Sequence, residues 1–165
     1  MLDELLHRVR SYTPRVLETD HSFPEAAVLV PITRSDAPEL VLTLRASGLS
    51  THGGEVAFPG GRRDPEDRDL IDTALREAQE EIGLPAGLVE VIGPLSSLVS
   101  RHGIQVTPYV GIVPAYVEYQ ANDGEIASVF TVPLEFFRDR SAGDDSSHRL
   151  PRPQLVCTEL SLWRI

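Results

Sequence analysis

Between Leu70 and Ile82 the apolar residues recur with a helical period, and the helix they define carries carboxylates where carboxylates are costly. At about 100° per residue, with Leu70 at zero, Leu70, Ala74, Ala78, Ile71, Ile82 and Leu75 fall between about 0° and 140°. That is a coherent buried stripe. By the same arithmetic Glu77, Glu80 and Glu81 fall near 340°, 280° and 20°. The three share one face, with Glu77 and Glu81 on the half-buried border of the stripe. Gly83 follows as a C-terminal stop, with Pro85 two residues beyond.

Like charges at i,i+4 repel and destabilise a helix. A hard divalent cation removes that repulsion, because carboxylate oxygens and substrate phosphates are its natural ligands. Arg76 lies within i,i+4 reach of Glu80 and can orient that carboxylate. A run such as Glu80-Glu81 taken alone reads as a solvated acidic face. Its position beside the apolar stripe favours a metal site, as does the glycine-rich approach to the helix. Five of the chain's 12 glycines, Gly48, Gly53, Gly54, Gly60 and Gly61, lie between positions 48 and 61. Such density suits a loop and strand that another backbone or a ligand approaches closely.

The remaining segments fit around this helix. Leu2, Leu5, Leu6 and Val9 predict a short amphipathic N-terminal helix, within an N-terminal lead-in over 1–25. Ala26–Ile32 and Glu39–Arg45 read as a strand pair, and Val89–Val99, Gln105–Val117 and Ile126–Val132 as further strands. Pro133–Phe137 can open a short helix, and Ser141–His148 is a polar loop. Strands on both sides of one long helix predict an α/β fold with a mixed sheet covered by helices, in a single domain over 1–165.

Charge and composition narrow the function. Lys plus Arg is 15 and Asp plus Glu is 25, a net charge of −10 that argues against charge-driven nucleic-acid binding. No apolar run reaches membrane-span length. The acidic start Met1-Leu2-Asp3-Glu4 is unlike a secretory leader, and the lone Cys157 is without an internal partner, so the expected compartment is the cytoplasm. Cys157 has no context for a nucleophile. An anionic substrate would need a local cation to reach so acidic a protein.

The stretch Gly60-Gly61 followed by Arg76-Glu77-Ala78-Gln79-Glu80-Glu81-Ile82-Gly83-Leu84 resembles the box of the Nudix hydrolases. One extra residue stands between Gly61 and Arg76, and the box's first Glu is absent, with Asp64, Glu66 and Asp67 nearby. Those departures resemble the coenzyme A pyrophosphatase branch. So does the upstream run Leu42-Thr43-Leu44-Arg45-Ala46 through Gly54 to Phe58-Pro59-Gly60-Gly61, where Val41 replaces a usual Leu and Ser50 a usual Arg. The resemblance extends from about Ala26 to about Phe137. It implies a Nudix-like α/β/α sandwich and metal-dependent hydrolysis of the pyrophosphate bond of coenzyme A, or of its derivatives, to adenosine 3′,5′-bisphosphate and 4′-phosphopantetheine. The alternatives are another nucleoside-diphosphate-linked pyrophosphatase, acting on ADP-ribose, NADH or a dinucleoside polyphosphate, and a nucleotide-binding module without turnover. Retention of Glu77, Glu80 and Glu81 speaks against the module.

The resemblance further implies Mg²⁺ or Mn²⁺ held by Glu77 and Glu81 with Glu80 adjacent, and a catalytic set of Glu80, Glu81 and Arg76. Arg45, His52, Gly60 and Gly61 become candidate substrate-binding residues, and Glu125 an extra base or metal ligand, although Ser128 stands where the family often has a second Glu. Asp64, Glu66 and Asp67 read as a solvated loop. The partner expected is a small nucleotide substrate, with neither nucleic acid nor membrane, and homo-oligomerisation is left open. The tail 150–165 is atypical. It lacks a helical stripe and is unlike the family, whose Tyr-x-Gly-x-x-Trp-x-Val-Pro segment leads into a C-terminal helix. One codon choice for Pro151–Ile165, read from two bases earlier, encodes a segment similar to that one. A reading-frame change near Leu150, leaving the C-terminal helix missing, is therefore the expectation, with a divergent tail as the alternative.

Overall fold

The computed structural model describes residues 1–15, 17, 22–47 and 54–138. His52, the Ser141–His148 segment and the tail from Leu150 lie outside the described residues. In chain order the elements are α1 (Leu2–Ser11), β1 (Glu25–Arg34), β2 (Glu39–Arg45), β3 (Val56–Ala57), β4 (Gly60–Arg62), α2 (Leu70–Ile82), β5 (Glu90–Pro94), β6 (Leu98–Val99), β7 (Gln105–Pro114), β8 (Ile126–Pro133) and α3 (Glu135–Arg138). The expected N-terminal helix, strand pair and long helix are all present.

The strands form one mixed sheet. β1 runs parallel to β7 in unbroken register from Glu25↔Gln105 to Arg34↔Pro114. β2 pairs antiparallel with β8, and β5 with β7. Along its other edge β1 is shared: Ile32 pairs with Leu40 of β2, whereas Ala26, Ala27 and Val28 pair with Arg62, Gly61 and Gly60 of β4. The divergence of β2 from β1 admits the glycine strand β4 next to α2.

Strand periodicity separates two cores, since successive side chains point to opposite faces. Ala27, Leu29, Val41 and Val113 pack with Ala74, Ala78 and Ile82 of α2. Val30, Ile32, Leu40, Val110 and Ile112 pack with Leu6 of α1, with Phe137 of α3 at the margin. Helices thus cover both faces, giving the α/β/α sandwich. Within the described residues no helix is long and apolar enough to cross a membrane.

Two strands are shorter than the periodicity predicts. Val89–Val99 is divided into β5 and β6, because the β5–β7 register shifts between Val91 and Gly93 and the chain leaves the ladder after Pro94. β7 stops at Pro114, which has no N–H to extend the ladder, rather than at Val117.

Candidate active site

α2 begins at Asp69, whose side chain accepts the Asp72 N–H, and ends at Gly83 in the left-handed conformation (φ 67°) with its N–H on the Gln79 carbonyl. Firm caps at both ends fix which way its side chains face. The buried arc, however, differs from the one read off the sequence. Thr73, Ala74, Ala78, Glu81 and Ile82 are buried, and Glu81 is only 3% exposed. Glu81 therefore lies inside the covered face and not on its border, whereas Glu77 keeps the half-buried border position expected of it. Strand β4 is the cause for Glu81, because it packs along that side of the helix and a lone helical wheel cannot register it.

Glycine permits this approach. An added Cβ at Gly61 would overlap the carboxylate of Glu77, and one at Gly60 would overlap the Ala27 carbonyl and Val28. The Gly60 N–H donates to Glu81 Oε2 (3.0 Å), and Arg45 Nη1 donates to Glu81 Oε1 (3.3 Å). Arg45 stands at a register shift between Leu44 and Arg45 in the β2–β8 pairing. The extra residue is Ala127 of β8, so Arg45 keeps the alternation of Val41 and Thr43 and lies on the α2 face. Its Nε is buried and makes no hydrogen bond among the described residues.

Burial pushes the Glu81 carboxyl up to about 7; the charges of Glu77 and Glu125 add to the rise, while Gly60 and Arg45 oppose it. Burial also raises Glu77, against the Arg76 guanidinium beside it, with Glu80 and Glu125 as further repelling charges. Glu125 itself is exposed, in the turn before β8, and its carbonyl accepts the Ala46 N–H.

Arg76 is held more firmly than i,i+4 spacing suggests. Its Nε and Nη2 each donate to Asp67 at 3.0 Å, Nη1 donates to Glu77 (2.9 Å) and Glu80 (3.2 Å), and Nη2 also reaches the Arg62 carbonyl (3.1 Å). The reading of Asp67 as part of a solvated loop is overturned. Asp67 is 9% exposed and also accepts from Thr73 Oγ1 (2.8 Å) and the Asp64 N–H (2.9 Å). These donors, Arg76 above all, hold its carboxyl well below the usual range despite burial. An Asp six residues after Gly61 and nine before Arg76 was the available signal, but nothing in the spacing alone marks it as buried.

Among the described residues no three His, Cys, Asp or Glu side chains are gathered as a ready-made metal cage. The donor chemistry nevertheless fits a hard divalent cation. Two desolvated, mutually repelling carboxylates face one glycine-lined strand, with two more carboxylates, Glu80 and Glu125, close enough to act on Glu77.

Comparison with known proteins bears on the family and the fold. The NUDIX domain family matches residues 23–149. A Yersinia pestis (strain Pestoides F) protein described as an uncharacterized Nudix hydrolase NudL is 47% identical over 140 residues, spanning 81% of this chain and 70% of its own length. A Yersinia pseudotuberculosis relative of the same description gives the same figures. Among solved structures, the Mycobacterium smegmatis (M. smegmatis) Nudix hydrolase RenU has a TM-score of 0.58 at 24% identity, covering 70% of this chain and 74% of that one. The Nudix domain of Shewanella oneidensis NrtR, solved with ADP ribose, has a TM-score of 0.57 at 19% identity, covering 80% and 84%. These two likenesses concern the fold. Nudix hydrolases generally use divalent metal ions. On its family match and its relatives, the chain belongs to the Nudix hydrolases and is a pyrophosphohydrolase.

Proposed function

We propose that this hydrolase cleaves the pyrophosphate bond of coenzyme A or its derivatives, with Mg²⁺ or Mn²⁺, yielding adenosine 3′,5′-bisphosphate and 4′-phosphopantetheine. The observation that supports this reading most is the meeting of two sequence segments on one carboxylate. Arg45, from the upstream run similar to the coenzyme A branch, and Gly60, from the box loop, both bond Glu81.

Glu77 and Glu81 would hold the cation. Bound there, it would neutralise pyrophosphate charge and favour attack by water. Gly61 leaves room for Glu77, and Arg76, locked on Asp67, positions Glu77 and Glu80. Exposed Glu80 and Glu125 are the carboxylates able to take the proton of the attacking water. In the reaction a water oxygen bonds to one phosphorus, and the bridging P–O bond breaks to release the other phosphate. Arg45 and His52 are assigned to the substrate, His52 lying outside the described residues.

Incubating the protein and Mg²⁺ with coenzyme A, ADP-ribose and NADH in turn, with mass detection of products, tests the assignment. Adenosine 3′,5′-bisphosphate and 4′-phosphopantetheine as the dominant products support it. Faster cleavage of ADP-ribose or NADH moves the substrate to that compound.

A further inference from the structure

Among the described residues two arginines contact the glutamates of α2, and they are held in different ways. Arg76 has every N–H direction engaged by Asp67, Glu77, Glu80 and the Arg62 carbonyl. Among the described residues Arg45 makes one side-chain hydrogen bond, to Glu81 at 3.3 Å, longer than the roughly 2.7–2.9 Å usual for a charge-assisted bond. Its Nε–H is buried and has no partner among the described residues. Burying a donor without a partner costs about 1–3 kcal/mol, so the observed placement of Arg45 is not one that satisfies its guanidinium. Glu81, by contrast, keeps a second anchor on the Gly60 N–H whether or not Arg45 is present.

A cation on Glu81 Oε1 would share that oxygen with a positively charged guanidinium. The two are like charges contending for one acceptor. The planar fork of an arginine matches phosphate oxygens in paired geometry, and a phosphoryl group would supply the acceptor its Nε–H lacks.

We infer that Arg45 is an exchangeable counter-ion: it occupies Glu81 in the cation-free protein, leaves that carboxylate when a divalent cation binds, and then takes an anionic oxygen of the pyrophosphate substrate. This rests on the metal-dependent reading above and deepens it. Arg45 thereby opposes cation binding when substrate is absent and favours it when substrate is present. In a protein of net charge −10, such an exchange keeps the desolvated Glu81 compensated in every state of the cycle and limits idle occupation by metal.

The test is Mn²⁺ binding without substrate, read from the loss of the free-ion paramagnetic resonance signal above the carboxylate titration range. Wild type, Arg45→Gln, Arg45→Lys, Glu81→Gln and the Arg45→Gln/Glu81→Gln pair are compared, each first checked for folding by thermal unfolding. Arg45→Gln should bind Mn²⁺ about fivefold more tightly, the scale of a partly screened ion pair. The gain should vanish in the Glu81→Gln background, and Arg45→Lys should stay near wild type because it keeps the charge. With Mn²⁺ saturating, Arg45→Gln and Arg45→Lys should both bind ADP, a nucleoside diphosphate probe, about tenfold more weakly. Unchanged or weaker Mn²⁺ binding by folded Arg45→Gln overturns the exchange alone, as does undiminished ADP binding. No Mn²⁺ binding by wild type or Arg45→Gln overturns both the exchange and the metal-dependent reading.

Discussion

Asp67 grips Arg76 through two hydrogen bonds of 3.0 Å, one to each carboxylate oxygen, and through Arg76 it sets the positions of Glu77 and Glu80. Replacing Asp67 with Asn leaves a partly buried guanidinium with a weaker partner, and Asp67→Asn should lose about 2–4 kcal/mol in denaturant unfolding. The folded-state pKa of Asp67 is depressed, so its contribution is complete above the ordinary Asp range and fades only as pH falls below that range. The gap between wild type and variant should therefore be flat from neutral to mildly acidic pH and close in strong acid. A gap that closes near neutrality contradicts this role.

The two box glycines separate stability from activity. Ala at Gly60 meets backbone atoms of Ala27 and Val28 that cannot move aside, whereas Ala at Gly61 meets the end of the Glu77 side chain, which can. Gly60→Ala should destabilise the fold by about 1–3 kcal/mol. Gly61→Ala should unfold near the wild-type midpoint yet lose most of its turnover. Equal effects of both substitutions on stability and rate would remove the distinction.

Buried Glu81 makes stability depend on pH in the sense opposite to Asp67. Its folded pKa of about 7 lies above the ordinary value of 4.5, so between those limits the native state binds more protons than the unfolded chain. Stability then falls as pH rises through that window. With a chelator present, Glu81→Gln has no such proton to lose. Its stability relative to wild type should rise from near zero in the acidic limit to about 2–3 kcal/mol above neutrality. Parallel pH curves for the two proteins count against the buried carboxylate.

Substrate choice has its own control. If the upstream segment carrying Arg45 reads coenzyme A, the 3′-phosphate contributes a charged contact of about 1.5–3 kcal/mol. Dephospho-coenzyme A should then be cleaved roughly ten- to a hundredfold less efficiently in kcat/KM. Equal efficiencies would detach the segment from recognition of that phosphate.

Much of this was legible in the sequence wherever the information was local. The stripe from Leu70 to Ile82 and the stop at Gly83 suffice for α2, and the apolar runs Ala26–Ile32 and Glu39–Arg45 suffice for the β1–β2 strand pair. The half-burial of Glu77 is legible in the helical wheel, whereas the full burial of Glu81 depends on β4, a strand of three residues that pairs with β1 only where β2 has turned away. Asp67 was missed for a similar reason: its burial comes from Thr73 and Arg76 folding back over it, and no period within 64–67 records that. Arg45 stands out in the sequence as a substrate-binding candidate, but its bond to Glu81, 36 positions on, is a tertiary contact that no local pattern records.

The central claim is that Glu77 and Glu81, covered by Gly60-Gly61, form the cation centre of the hydrolase. Turnover of the preferred substrate against Mg²⁺ concentration, for wild type, Glu77→Gln and Glu81→Gln, tests it most directly. Both folded variants should lose most of their turnover, with the deficit greatest at limiting Mg²⁺. Near-normal rates for both at limiting Mg²⁺ would contradict the account.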